Sequence, residues 1–339
     1  MKFFTIAKLN AIIRSFEYTR EEKKDQPVEI SRDNVQSDSK LQQTAQSMKN
    51  LLVLLPFMIG NFIPETDEKW INYLRLIQIT LLTFSSVAST RTVNTLKLLI
   101  ATHHSAFRRL YPERPITPKM HYLSHIPKQI CDFGPARNHS CMRLEGKHGE
   151  CKDKKYRNFK AIHKSVTVQH QYKMCLQQFN ADGSASHAYL SEDDIVKEGH
   201  TCSIADREFR HSMIQREYGD SEDVCAHQAL KTTELISRGH RYTAGTILIK
   251  ECPQWEYPKF ITIDEILIFN KATYFICEEL ETVAFNSHLN AFSVANTGEV
   301  KTVALKPETD LTYHWPQLVH TVDRTKYVML QNVDDVWQL

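Results

Sequence analysis

The spacing of apolar residues changes once along this chain, and the change limits the folds that it can adopt. In the first 180 residues, apolar positions recur at helical spacing, as in Trp70, Tyr73 and Ile77. From Thr233 onward, short runs of β-branched and aromatic residues alternate with turn signals. The sequence therefore predicts an α+β protein, with a mainly helical N-terminal region followed by a small antiparallel β-rich domain.

Four segments follow from this change of pattern. Residues 1–40 are predicted to form an N-terminal helix and a polar connection, and residues 41–180 a helical region. Within this region, one helix is predicted roughly from Thr90 to Tyr111 and a shorter one from Pro118 to Cys131. Residues 181–232 are polar, with short acidic and basic pieces, and are predicted to be a linker with some local helix. Residues 233–339 are predicted to contain five to seven short strands. With 339 residues and 42% apolar content, the chain can bury two cores.

The composition excludes several classes of protein. The formal charge is only +2, so the chain is not basic throughout, as many nucleic-acid-binding proteins are. The eight cysteines are dispersed without a C-x-x-C pair, which favours reduced thiols in the nucleus or cytoplasm over a secreted disulfide scaffold. Charged residues interrupt the most apolar stretch, and the N-terminus lacks the apolar core of a signal peptide. We therefore expect an intracellular protein without a membrane partner.

The stretch from Thr117 to Tyr172 is rich in histidine and is the strongest candidate for chemistry. Glu145 and His148 are three positions apart, and His121 and His125 are four apart, so each pair would share a helix face. Carboxylates and imidazoles together can bind a divalent metal ion. The alternative is structural, with the histidines hydrogen-bonded to backbone and the glutamate paired with a nearby Lys or Arg. A zinc finger is not favoured, because no cysteine pair stands upstream at a suitable spacing.

A basic run overlaps this stretch. Ten Lys and Arg stand between positions 137 and 173 against three acids, a local charge of +7. Such a run suits contact with a phosphate backbone, although a solvated helix face is the alternative interpretation. The candidate DNA-binding residues are Arg137, Arg143, Lys147, Lys152, Lys154, Lys155, Arg157, Lys160 and Lys164.

Eight short motifs follow one another along the helical region. They are L-P-F-M-I-G (55–60), P-E-T-D-E-K-W (64–70), L-Y-P (110–112), T-P-K-M-H-Y-L-S-H-I-P (117–127), F-G-P-A-R (133–137), C-M-R-L-E-G-K-H (141–148), N-F-K-A-I (158–162) and H-Q (170–171). With these motifs in this order, the chain resembles the C-terminal half of animal transposase-derived proteins related to CACTA-type (En/Spm-like) DDE transposases. The resemblance extends from about residue 9 to residue 339.

The resemblance implies that residues 41–180 are the C-terminal part of a ribonuclease-H-like transposase domain. In such an enzyme, two aspartates and a third acid hold two Mg²⁺ ions for attack on DNA phosphates. Glu145 matches the third acid, and His121 and His125 match a supporting motif ahead of it. The two aspartates would lie upstream of the matching part. The resemblance therefore implies a truncated, inactive chain without a cofactor of its own, and Mg²⁺ only if a partner completes the site.

Three functions remain open from the sequence. The first is residual DNA binding through residues 137–173 by a truncated transposase-derived protein. The second is a protein-interaction scaffold in which the β-rich domain, residues 233–339, binds a protein partner. The third is a metal-dependent DNA transferase or nuclease subunit whose missing aspartates come from a partner chain.

Overall fold

The structure of the chain is a computed structural model. It describes residues 3–36, 41–141, 145, 161–179, 183–184, 195–204, 228–237, 240–253, 256–296, 302–311 and 313–332. Helices come first along the chain and strands follow, so the predicted α+β class is confirmed. The described α-helices are α1 (Ile6–Ser15), α2 (Arg32–Gln36), α3 (Ala45–Ile59), α4 (Glu68–Thr83), α5 (Thr90–Leu110), α6 (Pro118–Leu123), α7 (Ile126–Phe133), α8 (Ile162–Gln178) and α9 (Pro307–Asp310).

Side chains that cap the backbone explain where the longer helices begin. Thr44, Asp67 and Ser89 each accept a hydrogen bond from the backbone N–H three residues on, at the first turns of α3, α4 and α5. At α5 the bond is reciprocal, because Thr92 also accepts from the backbone N–H of Ser89. Three short 3₁₀ helices lie between or beside the α-helices: Glu22–Asp25, Gly60–Phe62 and Ala136–His139.

The strands described by the structure form one antiparallel sheet. They are β1 (Ile195–Ser203), β2 (Gln228–Ser237), β3 (His240–Thr243), β4 (Ile247–Glu251), β5 (Lys259–Phe269), β6 (Ala272–Asn286), β7 (Ala291–Asn296), β8 (Thr302–Leu305), β9 (Leu318–Val322) and β10 (Thr325–Met329). The main order is β1-β2-β5-β6-β7-β10-β9, with β3, β4 and β8 pairing to β2, β5 and β6.

The two long strands, β5 and β6, let the sheet curve around a core of its own. The pairing register shifts between Ile263 and Glu265 and again between Thr282 and Ala284. Such bulges bend a strand and increase its twist. The curved sheet buries apolar side chains in separate clusters, one around Phe275 and another around Phe292.

Helix α4 buries two opposite faces, and this is how the helical region joins the sheet. Trp70 and Ile77 on one face pack with α3 and with Leu289 and Met329 of the sheet. On the opposite face, Ile79 packs against α5 and α7. A surface helix needs only one apolar stripe, so α4 is an internal wall with a layer on each side.

The turn between β6 and β7 inserts into the corner between α3 and α4. Leu289 is 3% exposed, and its Cδ2 atom would lie 2.7 Å from a Cβ atom at Gly60. His288 Nε2 lies 2.9 Å from the Gly60 carbonyl oxygen, and the Trp70 indole N–H donates to the His288 carbonyl at 3.2 Å. The Gln78 amide donates to Asn290 Oδ1 at 3.0 Å. The helices and the sheet therefore share a core and do not pack as independent units.

A second junction ties the N-terminal segment to the sheet. His320 of β9 lies with its Nε2 atom 3.1 Å from Glu22 Oε1, and both side chains are almost completely buried. The imidazole ring also contacts the rings of Phe16 and Phe57, with centroids 5.0 Å and 5.2 Å away. This contact joins the segment around Glu22 to β9.

The structure differs from the predicted segments in three places. Residues 233–339 contain the eight strands β3–β10, where five to seven were predicted. The predicted linker, residues 181–232, contributes β1 and the first part of β2, which pair with each other and extend the sheet. The predicted helix from Pro118 to Cys131 is two helices, α6 and α7, with a turn between them. Pro127 at the start of α7 has no N–H to continue α6, which accounts for the break. No helix in the described ranges has the length and apolar content needed to span a membrane.

His103 is a buried polar group in the interface between α4 and α5. Its Nδ1 atom lies 3.0 Å from Asn72 Oδ1 and 3.2 Å from the Asn72 carbonyl oxygen. Burial lowers the pKa of His103 below its ordinary value of 6.5; the bond to Asn72 opposes this, and the charges of His104 and Arg75 lower it further. The imidazole is therefore neutral in the folded protein near pH 7.

The inserted turn gives a first prediction. Leu289→Ala should lower the free energy of unfolding by about 2–5 kcal/mol, because it leaves a cavity where the turn meets α3 and α4. Urea denaturation followed by tryptophan fluorescence measures this. Val283→Ala is the control on the same hairpin, since Val283 is 57% exposed. Equal destabilisation by the two variants would contradict the shared core.

The buried histidine gives a second prediction. As the pH falls through 6.5, histidines of the unfolded chain gain protons while His103 stays neutral, so the free energy of unfolding decreases. His103→Gln should reduce this loss, by up to about 1.4 kcal/mol for each pH unit. Urea unfolding at about pH 7.5 and about pH 5.5 tests the sign. His170→Gln, at an exposed position of α8, should leave the pH dependence unchanged.

Candidate nucleic-acid interface

The helices α5, α6 and α7 form a layer on the side of α4 that faces away from the shared core. Buried residues of α5 recur every three or four positions, and Leu96 and Ile100 pack with Ile79 of α4 and Ile130 of α7. Leu123 of α6 adds to this cluster. The apolar side of the layer is therefore packed against α4, and its polar side faces solvent.

The excess of positive charge begins in this layer and continues along the chain beyond it. Residues 91–173 contain 17 Lys and Arg against five Asp and Glu, a formal charge of +12. The rest of the chain contains 25 Lys and Arg against 35 Asp and Glu. The sequence prediction placed the basic run at 137–173 only. The excess of Lys and Arg in residues 91–136 was visible in the sequence, but only the packing of α5–α7 as one layer shows that these cations share a surface.

The described basic side chains of this layer reach solvent. Lys97 and Arg108 are exposed and lie 11 residues apart on α5, which places them on one face and about 16 Å apart along the axis. Other exposed cations of the layer are Arg114, Lys119, Lys128 and Arg137. Such a spread of cations matches a repeating array of phosphates better than a single small anion.

One cation of the layer is already paired. The Arg109 guanidinium donates to both carboxylate oxygens of Glu68 at 2.8 Å and 2.9 Å. This hydrogen bond and the Arg109 charge together lower the pKa of the Glu68 carboxyl group. A bidentate pair of this kind fixes α5 to the start of α4 and removes Arg109 from the candidate interface.

The structure describes only two of the predicted DNA-binding residues. Arg137 follows α7 and donates from Nη1 to Ser86 Oγ at 2.8 Å. Lys164 is exposed on α8. The remaining predicted residues lie outside the described residues: Arg143, Lys147, Lys152, Lys154, Lys155, Arg157 and Lys160.

The predicted catalytic acid, Glu145, is exposed. Its backbone N–H donates to the Cys141 carbonyl at 2.9 Å, the spacing of one helical turn, and the Cys141 thiol lies 4.0 Å from its carboxylate. His148 lies outside the described residues. Within the described part of the chain, no three His, Cys, Asp or Glu side chains are grouped closely enough to hold a metal ion. The assignment of Glu145 as a third acid stays a prediction.

His121 and His125 are brought together across the break between α6 and α7. Their Nε2 atoms lie 3.2 Å apart, and both side chains are exposed. One neutral imidazole can donate to the other at this distance. Two nitrogens bound to one tetrahedral Zn²⁺ ion lie about 3.3 Å apart, so the pair could also supply two ligands of such an ion.

Comparisons with known proteins give no relative. No protein-family model matches the chain, and no curated protein or solved structure gives a significant match.

The histidine pair gives a third prediction. Zn²⁺ should bind the wild-type protein weakly, and His121→Ala or His125→Ala should each weaken binding by at least about tenfold, because each removes one of two ligands. Isothermal titration calorimetry measures the dissociation constant. His139→Ala removes an exposed histidine of the neighbouring 3₁₀ helix and is the control. Unchanged affinity in the double variant His121→Ala/His125→Ala would show that the ion binds elsewhere.

Proposed function

We propose that this chain is a transposase-derived protein that binds duplex DNA through the basic layer formed by α5–α7 and the basic run that follows it. The observation that carries this proposal is the segregation of charge, +12 over residues 91–173 in a chain of net charge +2. A charge concentrated in one segment of a chain produces a local positive potential that a near-neutral total hides. The exposed cations of α5–α7 support this proposal.

The proposed contacts are with phosphates and carry no sequence information. Lys97, Arg108, Lys119 and Lys128 are exposed and have no carboxylate within ion-pair distance among the described residues. Each phosphate that such a side chain neutralises releases a condensed counterion, so affinity decreases with salt. The protein would therefore bind many sequences with similar affinity and be positioned by the backbone of the duplex.

The transposase relationship is a proposal supported by the eight ordered motifs. In this proposal, residues 41–180, with helices α3–α8, are the C-terminal part of a ribonuclease-H-like domain, and Glu145 is the third acid of its site. Two-metal chemistry needs further carboxylates close to that glutamate. Cleavage or strand transfer, with Mg²⁺, would then depend on a partner chain that supplies those carboxylates.

DNA binding is tested by fluorescence anisotropy with a labelled duplex of about 20 base pairs at several KCl concentrations. The wild-type protein should show a dissociation constant that rises steeply with salt. The triple variant Lys97→Gln/Arg108→Gln/Lys128→Gln should bind more weakly, and its salt slope should fall by about one for each phosphate that it no longer neutralises. The weakening should be similar for unrelated duplex sequences.

The matched control is Lys326→Gln, which removes an exposed lysine from β10 in the sheet. It should leave both affinity and slope unchanged, because the proposed interface is confined to the helices. Absence of binding by the wild-type protein at low salt would refute the proposal. An equal effect of the control would show a diffuse attraction rather than an interface.

A further inference from the structure

A cavity of about 630 Å³ lies between the helical region and the sheet. Its walls come from the turn at 19–22, from α3, from the β3–β4 turn and from the segment before β9. The wall on the sheet side is closed by Gln317, whose amide donates to the carbonyl oxygens of Trp315 and Gln331 and accepts from the Gln331 N–H at 2.7 Å. The sheet side of the cavity is therefore held in place by these hydrogen bonds.

Lys49 of α3 lines this cavity. Arg137 is not part of the cavity lining, but its charge acts on Lys49. Both cations contact the loop between α4 and α5. The Lys49 ammonium group lies 4.8 Å from the centre of the Phe84 ring, and Arg137 donates to Ser86 Oγ at 2.8 Å, two residues along. The loop is itself held, because the Ser86 N–H donates to Asn332 Oδ1 at 2.9 Å. Packing thus holds two like charges beside one another.

Neither cation has a carboxylate within ion-pair distance among the residues that the structure describes. This differs from the other cations of the cavity wall, Arg20 and Arg241, which both pair with Glu234. Burial lowers the pKa of Lys49, and the charge of Arg137 lowers it further. Two uncompensated positive charges beside a cavity are unfavourable until an anion lies between them.

We propose that a phosphate group binds at the edge of this cavity, between Lys49 and Arg137 beside the loop from α4 to α5. The ammonium group supplies a compact charge, and the guanidinium has five N–H donors, one of which bonds Ser86 Oγ in the described part of the chain. The indole and imidazole rings of Trp315 and His314 stack at 4.4 Å in the segment next to the cavity. The phosphate could belong to a free phosphate or phosphomonoester or to a nucleic acid, since the recognising chemistry is the same.

This site shares one residue, Arg137, with the DNA-binding surface proposed above. Lys49 is absent from the basic layer, and Lys97 and Arg108 on the outer face of α5 are absent from the cavity wall. Loss of duplex binding in the α5 variants with intact phosphate binding would leave this inference standing. Duplex binding that is unaffected by Lys49→Met would not contradict this inference either, provided that a smaller phosphate ligand binds.

The test is calorimetric titration of the full chain at matched ionic strength. The ligands are inorganic phosphate, a deoxynucleoside 5′-monophosphate, and a single-stranded hexanucleotide with and without a 5′-phosphate. Lys49→Met should raise the dissociation constant of at least one ligand by about tenfold or more, the usual effect of losing a charge-assisted hydrogen bond. Lys49→Arg should restore binding to within a fewfold, because the charge is kept.

Lys69→Met is the matched control, because Lys69 makes the same kind of contact with an aromatic ring, 5.1 Å from the centre of Tyr111, away from the cavity. Its affinity should equal that of the wild type. Arg137→Gln is the second test variant and should also weaken binding, so a folding defect of one variant leaves the other informative. Circular dichroism and thermal unfolding establish that each variant is folded.

The outcomes separate the sources of the phosphate. Binding of inorganic phosphate or the monophosphate that depends on Lys49 supports a small-molecule site. Tighter binding of the hexanucleotide that depends on Lys49 supports a nucleic-acid phosphate, and dependence on the 5′-phosphate identifies a strand end. If no ligand binds, or if binding is unaffected by both Lys49→Met and Arg137→Gln, the proposal is overturned.

Discussion

The two-sided burial of α4 is the constraint on which the rest of the structure depends. Trp70, Leu74 and Ile77 cluster on one face, and Ile79 lies on the opposite face, as 3.6 residues per turn require. One face is covered by α3 and by the inserted β6–β7 turn, and the other by α5 and α7. Removing either layer would expose an apolar surface to water, so burial of both faces of α4 holds the sheet and the basic helices in one assembly.

Charge is segregated along the chain. Residues 91–173, which begin in the layer beyond α4, contain the excess of cations, and the rest of the chain contains most of the acids. A segregated charge lowers stability through self-repulsion, and a bound polyanion would offset that cost. The cavity beside Lys49 shows the same situation on a smaller scale, because Lys49 and Arg137 have no carboxylate within ion-pair distance among the described residues. The two proposals, for a polyanion and for a single phosphate group, rest on these two features.

Individual elements show which parts of the fold could be read from sequence. The predicted helix from Thr90 to Tyr111 matches α5 almost to the residue, because its apolar period is regular and Ser89 caps it. The strand patterns after Thr233 were also found. The strand β1 was missed, because it pairs only with β2 at the sheet edge and consists largely of polar residues. An edge strand has few apolar positions, so its pattern resembles that of a linker.

The sequence by itself determined the fold class, the boundaries of the strongly periodic elements, and the presence of a basic, histidine-rich stretch. These features are local, since hydrophobic period, capping residues and charge are set by neighbours along the chain. Only the tertiary structure decided that His121 and His125 meet across a helix break, and that Lys49 and Arg137, 88 positions apart in sequence, reach one loop. Such contacts depend on how layers pack on α4, and no local pattern encodes the packing partner.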